Sequence, residues 1–398
     1  MLEDASSRGS FAGLWPLDPS VAYLNHGSYG ACPTAVLERQ NALRLELERE
    51  PVDFLSRGLA QRLASARGAL AAFVGAEADD LAFVTNATAG VNTVLRSLAL
   101  GPGDELLTTD HAYGACRNAL EYVAARAGGT VVTARVPFPL GGDGDVVGPV
   151  LSAVTSRTRL ALLDHVTSPT GLVFPIERLS RELAARGVDT LVDGAHALGM
   201  VPLDLRRLGP AYYTANAHKW LCSPKGAAFL FVRRDRRQEI HPLVISHGYD
   251  PAGGGFRAEF DWTGTLDPTA WLTIPACLSF LGSLLPGGFT ALMARNRALA
   301  LRARTILCEA VAAPPPCPDE MIGALASVPL PKAEPGSPAD SLDPDGLTGW
   351  FRERGIETWI SSWSGPTDRL VRASAQIYNT EAQYRLLANA LREALRGG

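Results

Sequence analysis

TANAHKWLCSPKG, residues 214–226, carries two of the three lysines in a chain that otherwise relies on 34 arginines. Lys219 lies between a histidine and a tryptophan, at the end of the apolar run AYYTANAHKW (211–220). That run and GAAFLFVRRD (226–235) read as two strands around a turn, with Lys225 in the turn as a solvated or salt-bridged charge. Upstream, short buried-type runs alternate with helical patterns. The strands are DLAFVT (80–85), DELLTTD (104–110), TRLALLDHV (158–166) and DTLVDGAH (189–196). The intervening helices are ATAGVNTVLRSLAL (87–100), ACRNALEYVAARAG (115–128) and ERLSRELAARG (177–187). This alternation predicts an α/β fold with a mostly parallel central sheet.

Beyond residue 285 the pattern changes. A long helix is expected over 291–313, a strand over 322–331, a loop in KAEPGSPADSLDPDG (332–346) and a helix over 345–355. A strand-like run over 370–380 and a closing amphipathic helix over 382–396 follow. The chain of 398 residues thus divides into a large α/β domain, residues 20–285, and a smaller α+β domain built from 1–19 and 286–398. Apolar residues make up 46% and charged residues 20%, the balance of a globular protein. The net charge of −4 and the lack of a basic block argue against nucleic-acid binding. RRDRRQ (233–238), the densest positive run, reads as a solvated loop. No apolar stretch is long enough for a membrane span, and the N-terminus lacks an apolar signal core. Six scattered cysteines form no framework, so reduced thiols in a cytoplasm are expected.

The phosphate-loop, dinucleotide, zinc-protease and nucleophile-elbow signatures are all missing. Polar residues instead gather at the carboxyl ends of the expected strands, where open α/β sheets bind ligands. Ala87 and Thr88 open a helix whose free amides suit a phosphate. His111 and Tyr113 end the next strand, and either ring suits stacking on a planar ligand. Asp193 follows buried residues and needs a positive or hydrogen-bonding partner, which a protonated pyridine nitrogen would supply. Ala195 leaves room for a flat ring, His196 reaches an oxygen on it, and Lys219 follows 26 residues after Asp193. A lysine nucleophile, an acid for a ring nitrogen and a phosphate cup together match pyridoxal 5′-phosphate.

With these residues in place, the chain resembles the class V aminotransferase family of fold-type I pyridoxal phosphate enzymes. Within it, the likeness is to the isopenicillin N epimerase-like branch. It rests on LNHGSYG (24–30), EPVDF (50–54), TNATAGVN (85–92), DHAYGA (110–115), SPTGLV (168–173), VDGAHALGMVPLDL (192–205), NAHKWL (216–221) and WTGT (262–265). The resemblance implies that Lys219 holds the cofactor's aldehyde and shuttles the substrate proton. It implies that Asp193 keeps the pyridine nitrogen protonated and that His196 contacts the phenolic oxygen. Phosphate would be bound by Ala87, Thr88, Asn216 and His218, with Thr265 reaching in from a second copy of a homodimer. His111 or Tyr113 would stack on the ring, Arg372 would pair with the substrate carboxylate, and Asn25, His26 and Gly27 would line the substrate mouth.

One departure matters. Cysteine desulfurases of this family carry a cysteine shortly before the carboxylate-binding arginine, whereas GIETWISSWSGPTDRLVR (355–372) has none. Persulfide chemistry therefore lacks its nucleophile, and Trp359 and Trp363 stand there as a substrate wall or as plain packing. The expected substrate is a small molecule, an L-amino acid or amino-acid conjugate activated at its α-carbon. β-Elimination in specialised metabolism is the favoured outcome because one base suffices, with epimerisation the runner-up. Epimerisation needs a second acid, for which His26, His111 and Tyr113 are the candidates. Oxidative deamination and transamination are further outcomes, and a non-catalytic binding role sits poorly with Lys219, Asp193 and Arg372 all present.

Overall fold

The computed structural model describes residues 9–250, 255–332, 346–363 and 365–396. Its centre is a seven-stranded sheet. In chain order the strands are β1 (Leu81–Val84), β2 (Glu105–Thr109), β3 (Thr130–Ala134), β4 (Thr158–Asp164), β5 (Asp189–Asp193), β6 (Tyr212–Asn216) and β7 (Ala228–Val232). Their spatial order is β1-β7-β6-β5-β4-β2-β3. Only β7 runs against the rest, pairing antiparallel with both β1 and β6. The remaining neighbours are parallel.

Strands β1, β6 and β7 are buried at every position, because helices cover both faces and leave no solvated side to alternate with. On one face Ala82, Val91, Val94, Leu106 and Leu120 pack together, drawn from the sheet and from helices Ala87–Ser97 and Gly114–Ala127. The other face joins Phe83, Leu107 and Val192 to helices Leu59–Val74 and Ile176–Ala184.

A second, three-stranded antiparallel sheet has β8 (Leu325–Leu330), β9 (Trp359–Trp363) and β10 (Gly365–Ser374) in the order β9-β10-β8. Helices Gly288–Ala310 and Glu381–Ala394 pack against each other beside it. The last begins with a capping box between Thr380 and Gln383. This sheet is tied to the N-terminal segment, since the Ser374 amide donates to the Leu24 carbonyl while the Ser374 hydroxyl accepts from the Gly27 amide.

Several elements differ from the sequence reading. Strand β3 was not expected; it is a half-exposed edge of five residues whose short pattern resembles a loop. Helix Gly144–Ser152 contains Pro149 and is rich in glycine and valine, which masks its period. The run expected over 370–380 is extended only to Ser374, and its partner β9 carries Trp359 and Trp363. Helices Thr34–Arg49 and Leu59–Val74, joined through the π-helical turn Asp53–Gly58, complete the N-terminal part. The loop expected over 332–346 falls almost wholly outside the described residues.

Candidate active site

The carboxyl ends of β1, β4, β5 and β6 converge on a cavity of about 570 Å³, with Lys219 in its wall. The antiparallel β7 brings its amino end to the same edge, which is how Lys225 and Gly226 come to line the cavity. A larger concavity of about 1010 Å³ lies elsewhere, lined by Asp79, Arg257, His241 and Glu259. Within it, Arg257 pairs with Asp79 and His241 with Glu259, each at 2.7 Å. The lysine cavity is where titratable groups converge without such pairing, and it is the candidate active site.

Lys219 lies three residues beyond the end of β6, in the turn that follows. Its Nζ is 3.2 Å from His196 Nε2, and the Trp220 indole donates to His196 Nδ1 at 3.4 Å. An indole can only donate, so Nδ1 accepts and the His196 proton resides on Nε2. That proton points at the Lys219 nitrogen, which can accept only as a neutral amine. Burial, and then the Arg372 charge, push the Lys219 amine down to about 8, while burial holds His196 well below its ordinary range. Apo-protein should therefore capture pyridoxal phosphate at a rate that rises with pH and levels off above about 8. A surface lysine would level off near ~10.4. Stopped-flow absorbance from about pH 6.5 to about pH 11.5, which spans both values, measures this, and a plateau near the surface value would refute the assignment.

Asp193 is 2% exposed. The Ala195 amide donates to its Oδ1 at 2.9 Å and the Cys116 thiol to its Oδ2 at 3.2 Å. Between Asp193 and Ala195 only glycine fits, because a Cβ on Gly194 would sit 2.3 Å from the Tyr213 ring. Ala195, His196 and Tyr113 line the cavity, and Tyr113 is 45% exposed there. Burial raises the Tyr113 phenol, so it stays protonated.

The cavity is also lined by Asn86, Ala87, Thr88, Asn216, His218, Lys225 and Gly226. Asn86 caps the helix Ala87–Ser97 by accepting from the Ala89 amide, and Asn216 Oδ1 accepts from the Ala87 amide at 2.8 Å. The Ala87 amide is thus spent inside the protein, and Asn216 is the group it presents. Lys225 is exposed, as a solvated charge, and it also lines the cavity. Its amine donates to the Gly30 carbonyl at 3.2 Å, and no carboxylate among the described residues pairs with it. The chain order around the turn hid this, because only the β6–β7 pairing folds Lys225 back beside His218.

Two histidines are not where the sequence reading put them. His111 is fully buried, with Nδ1 at 2.8 Å from Thr170 Oγ1 and Nε2 at 3.0 Å from the Val136 carbonyl. It packs on Trp363 and Phe138 and does not line the cavity, which leaves Tyr113 as the ring that does. His26 is also fully buried, behind the lysine and not at a mouth. Its Nε2 lies 2.9 Å from the Lys219 carbonyl and its Nδ1 2.8 Å from the Tyr378 hydroxyl. Gly27 is enclosed by Leu325 and Ser374. Asn25 faces Arg372 and Ser28, with its amide on Glu357. Of LNHGSYG, only Ser28 and Tyr29 reach the cavity. Thr265 is exposed and does not line the cavity of its own chain.

Arg372, on β10, stands directly behind Ser28 and Ser168 and is 2% exposed. Its guanidinium donates to the Ser168 carbonyl at 2.6 Å and to the Ser28 hydroxyl at 3.0 Å. It lies 4.2 Å over the Trp359 ring. Its Nε has no partner, no carboxylate among the described residues pairs with it, and burial pushes the group down to about 10. A buried guanidinium without an anion is costly unless a ligand supplies one. Trp359 thus backs the arginine and Trp363 packs on His111; neither lines the cavity.

The sequence profile of the class-V aminotransferases matches residues 36–307. The chain is 37% identical to isopenicillin N epimerase of Streptomyces clavuligerus, over 96% of each protein. It is 31% identical to the probable chloroplastic L-cysteine desulfhydrase of Arabidopsis thaliana, over 96% of this chain and 84% of that one. Among solved structures, the cystine C–S lyase C-DES, in complex with its product cysteine persulfide, superposes with a TM-score of 0.79 at 24% identity. That superposition covers 96% of this chain and 99% of the lyase, and it bears on the fold. The protein belongs to the class-V aminotransferase family and is a pyridoxal phosphate-dependent enzyme of fold type I. The cavity fits that cofactor: its lining joins a buried carboxylate, a lysine amine lowered by burial, Ala195, a helix amino end and Lys225.

Proposed function

We propose that this enzyme cleaves a C–S bond of a cysteine S-conjugate by β-elimination in specialised metabolism. The observation that carries this is the withdrawal of His26 and His111 from the cavity, which leaves Lys219 as the base at hand. Pyridoxal phosphate, when bound, supplies an electron sink that stabilises negative charge at the α-carbon of an amino acid. Asp193 holds the ring-nitrogen proton, and His196 donates toward the Lys219 side of the cavity. Asn216, His218, Thr88 and Lys225 hold the phosphate, with the Ala87 amide acting through Asn216. Thr265 of a second copy completes that end in a homodimer. Tyr113 covers the ring.

Arg372 orients the substrate through its α-carboxylate, helped by Ser28 and Asn25. Lys219 as the neutral amine removes the α-proton. The electron pair of that C–H bond forms the α,β double bond, and the C–S pair departs with sulfur as a thiolate. A thiolate is a weak base, so no second acid is needed. Water then converts the three-carbon remainder to pyruvate and ammonia.

Epimerisation is the second reading, supported by the similarity to isopenicillin N epimerase and by the protonated Tyr113 phenol in the cavity. Proton NMR in D₂O with an S-substituted L-cysteine separates the two. Pyruvate and free thiol are expected. Deuterium at the α-carbon with loss of optical purity and no fragmentation would overturn elimination. Tyr113→Phe would then be expected to keep α-proton exchange and lose inversion.

A further inference from the structure

Asp164 closes β4 as Asp193 closes β5, and the two are register partners across adjacent parallel strands. Both line the lysine cavity and both are buried, Asp164 at 4% exposure. The reaction steps above make no use of Asp164. The surroundings of the two carboxyls differ. Asp193 accepts from the Ala195 amide and from the Cys116 thiol. Asp164 Oδ2 has no hydrogen-bond partner among the described residues. An ionised carboxylate only accepts, so a buried oxygen facing no donor disfavours the charge. Two neighbouring buried carboxyls cannot both ionise, and the donors decide which one keeps the charge.

We propose that Asp164 is a neutral carboxylic acid at the floor of the active site, which holds the pair's single proton against Asp193. Asp193 then remains the anion available to the cofactor's ring nitrogen. This rests on the cofactor site described above and adds a second positioning carboxyl to it. Burial, and then the Asp193 charge, hold the Asp164 carboxyl well above the usual carboxylate range, against the pull of the Tyr113 amide and Lys219. Burial raises Asp193 as well, against the pull of the Ala195 amide, the Cys116 thiol and Lys219. The other titratable groups around the pair are Tyr113 and Tyr213, both kept protonated by burial. A protonated buried acid that serves a site as a donor has precedent in enzyme chemistry.

The test reads ionisation and not turnover, so it stands whichever reaction the enzyme runs. Infrared spectra of the cofactor-free protein near pH 8 are expected to show the deuterium-sensitive carbonyl band of a protonated carboxyl. Asp164→Asn, a neutral isostere, is expected to remove that band. Absence of the band from the unaltered protein, or its persistence in Asp164→Asn, overturns the proposal. This arm needs no cofactor, so a failure of the cofactor assignment would not disguise the result. The second arm is the pH midpoint of pyridoxal phosphate capture by Lys219, which a neutral Asp164 leaves unchanged in Asp164→Asn to within ~0.3 unit. A charged Asp164 supports the lysine cation, so its loss would lower the midpoint by about one unit, and that result also overturns the proposal.

Discussion

Lys219→Ala is expected to fold, to lose the visible absorbance of the lysine-bound cofactor and to turn over at least ~10³-fold more slowly. The size of the effect follows from the lack of a substitute. Lys225 is six residues away and its amine is tied to the Gly30 carbonyl. His196 presents a proton, not a lone pair, to the reacting side. Lys225→Ala is the matched control and keeps the absorbance while holding the cofactor less tightly. Spectra before and after borohydride reduction, with circular dichroism as the fold check, make the measurement. Absorbance that survives in Lys219→Ala and vanishes in Lys225→Ala would exchange the two roles.

Replacing Arg372 by leucine is expected to cost kcat/KM about 3 kcal/mol, on the order of a hundredfold, mainly through KM. The same change should leave the melting temperature unchanged or raise it. In the empty protein Arg372 is a buried cation without an anion, with an unpartnered Nε, and such a group destabilises the fold. An enzyme keeps it only for what it binds. Arg372→Lys retains charge but neither the fork of donors nor the stack on Trp359, so it should recover only a small part of the loss. A large drop in melting temperature with little change in KM would mean that Arg372 is a structural tie between β10 and the Ser168 carbonyl, and the carboxylate role would fall.

The groups most legible in the sequence are those at strand ends. Buried runs such as TLVDGAH and TRLALLDHV announce the sheet, and a parallel sheet offers its ligands the carboxyl ends, so Asp193 and Lys219 follow from position in the chain. The same logic applies to Asp164, which ends an equally apolar run. His165 in fact turns away from the cavity, to the Tyr213 hydroxyl at 2.9 Å. Gly194 is explained only by the Tyr213 ring packed beneath it.

Ring orientation was not legible. His26 and His111 sit in motifs that look like a site, yet both rings point into protein, because Tyr378, Thr170 and Val136 arrive from segments far along the chain to occupy their nitrogens. Lys225 is the exposed turn residue expected, and it becomes a cavity residue as well because β7 runs back against β6. Pattern and spacing in this sequence determine which segments become strands and helices, and which residues stand where the strands end, because those follow from local periodicity. Which polar groups meet, which nitrogen carries a proton, and which cation is left without an anion are decided by the tertiary structure. Hydrogen bonding and desolvation depend on neighbours brought from elsewhere in the chain.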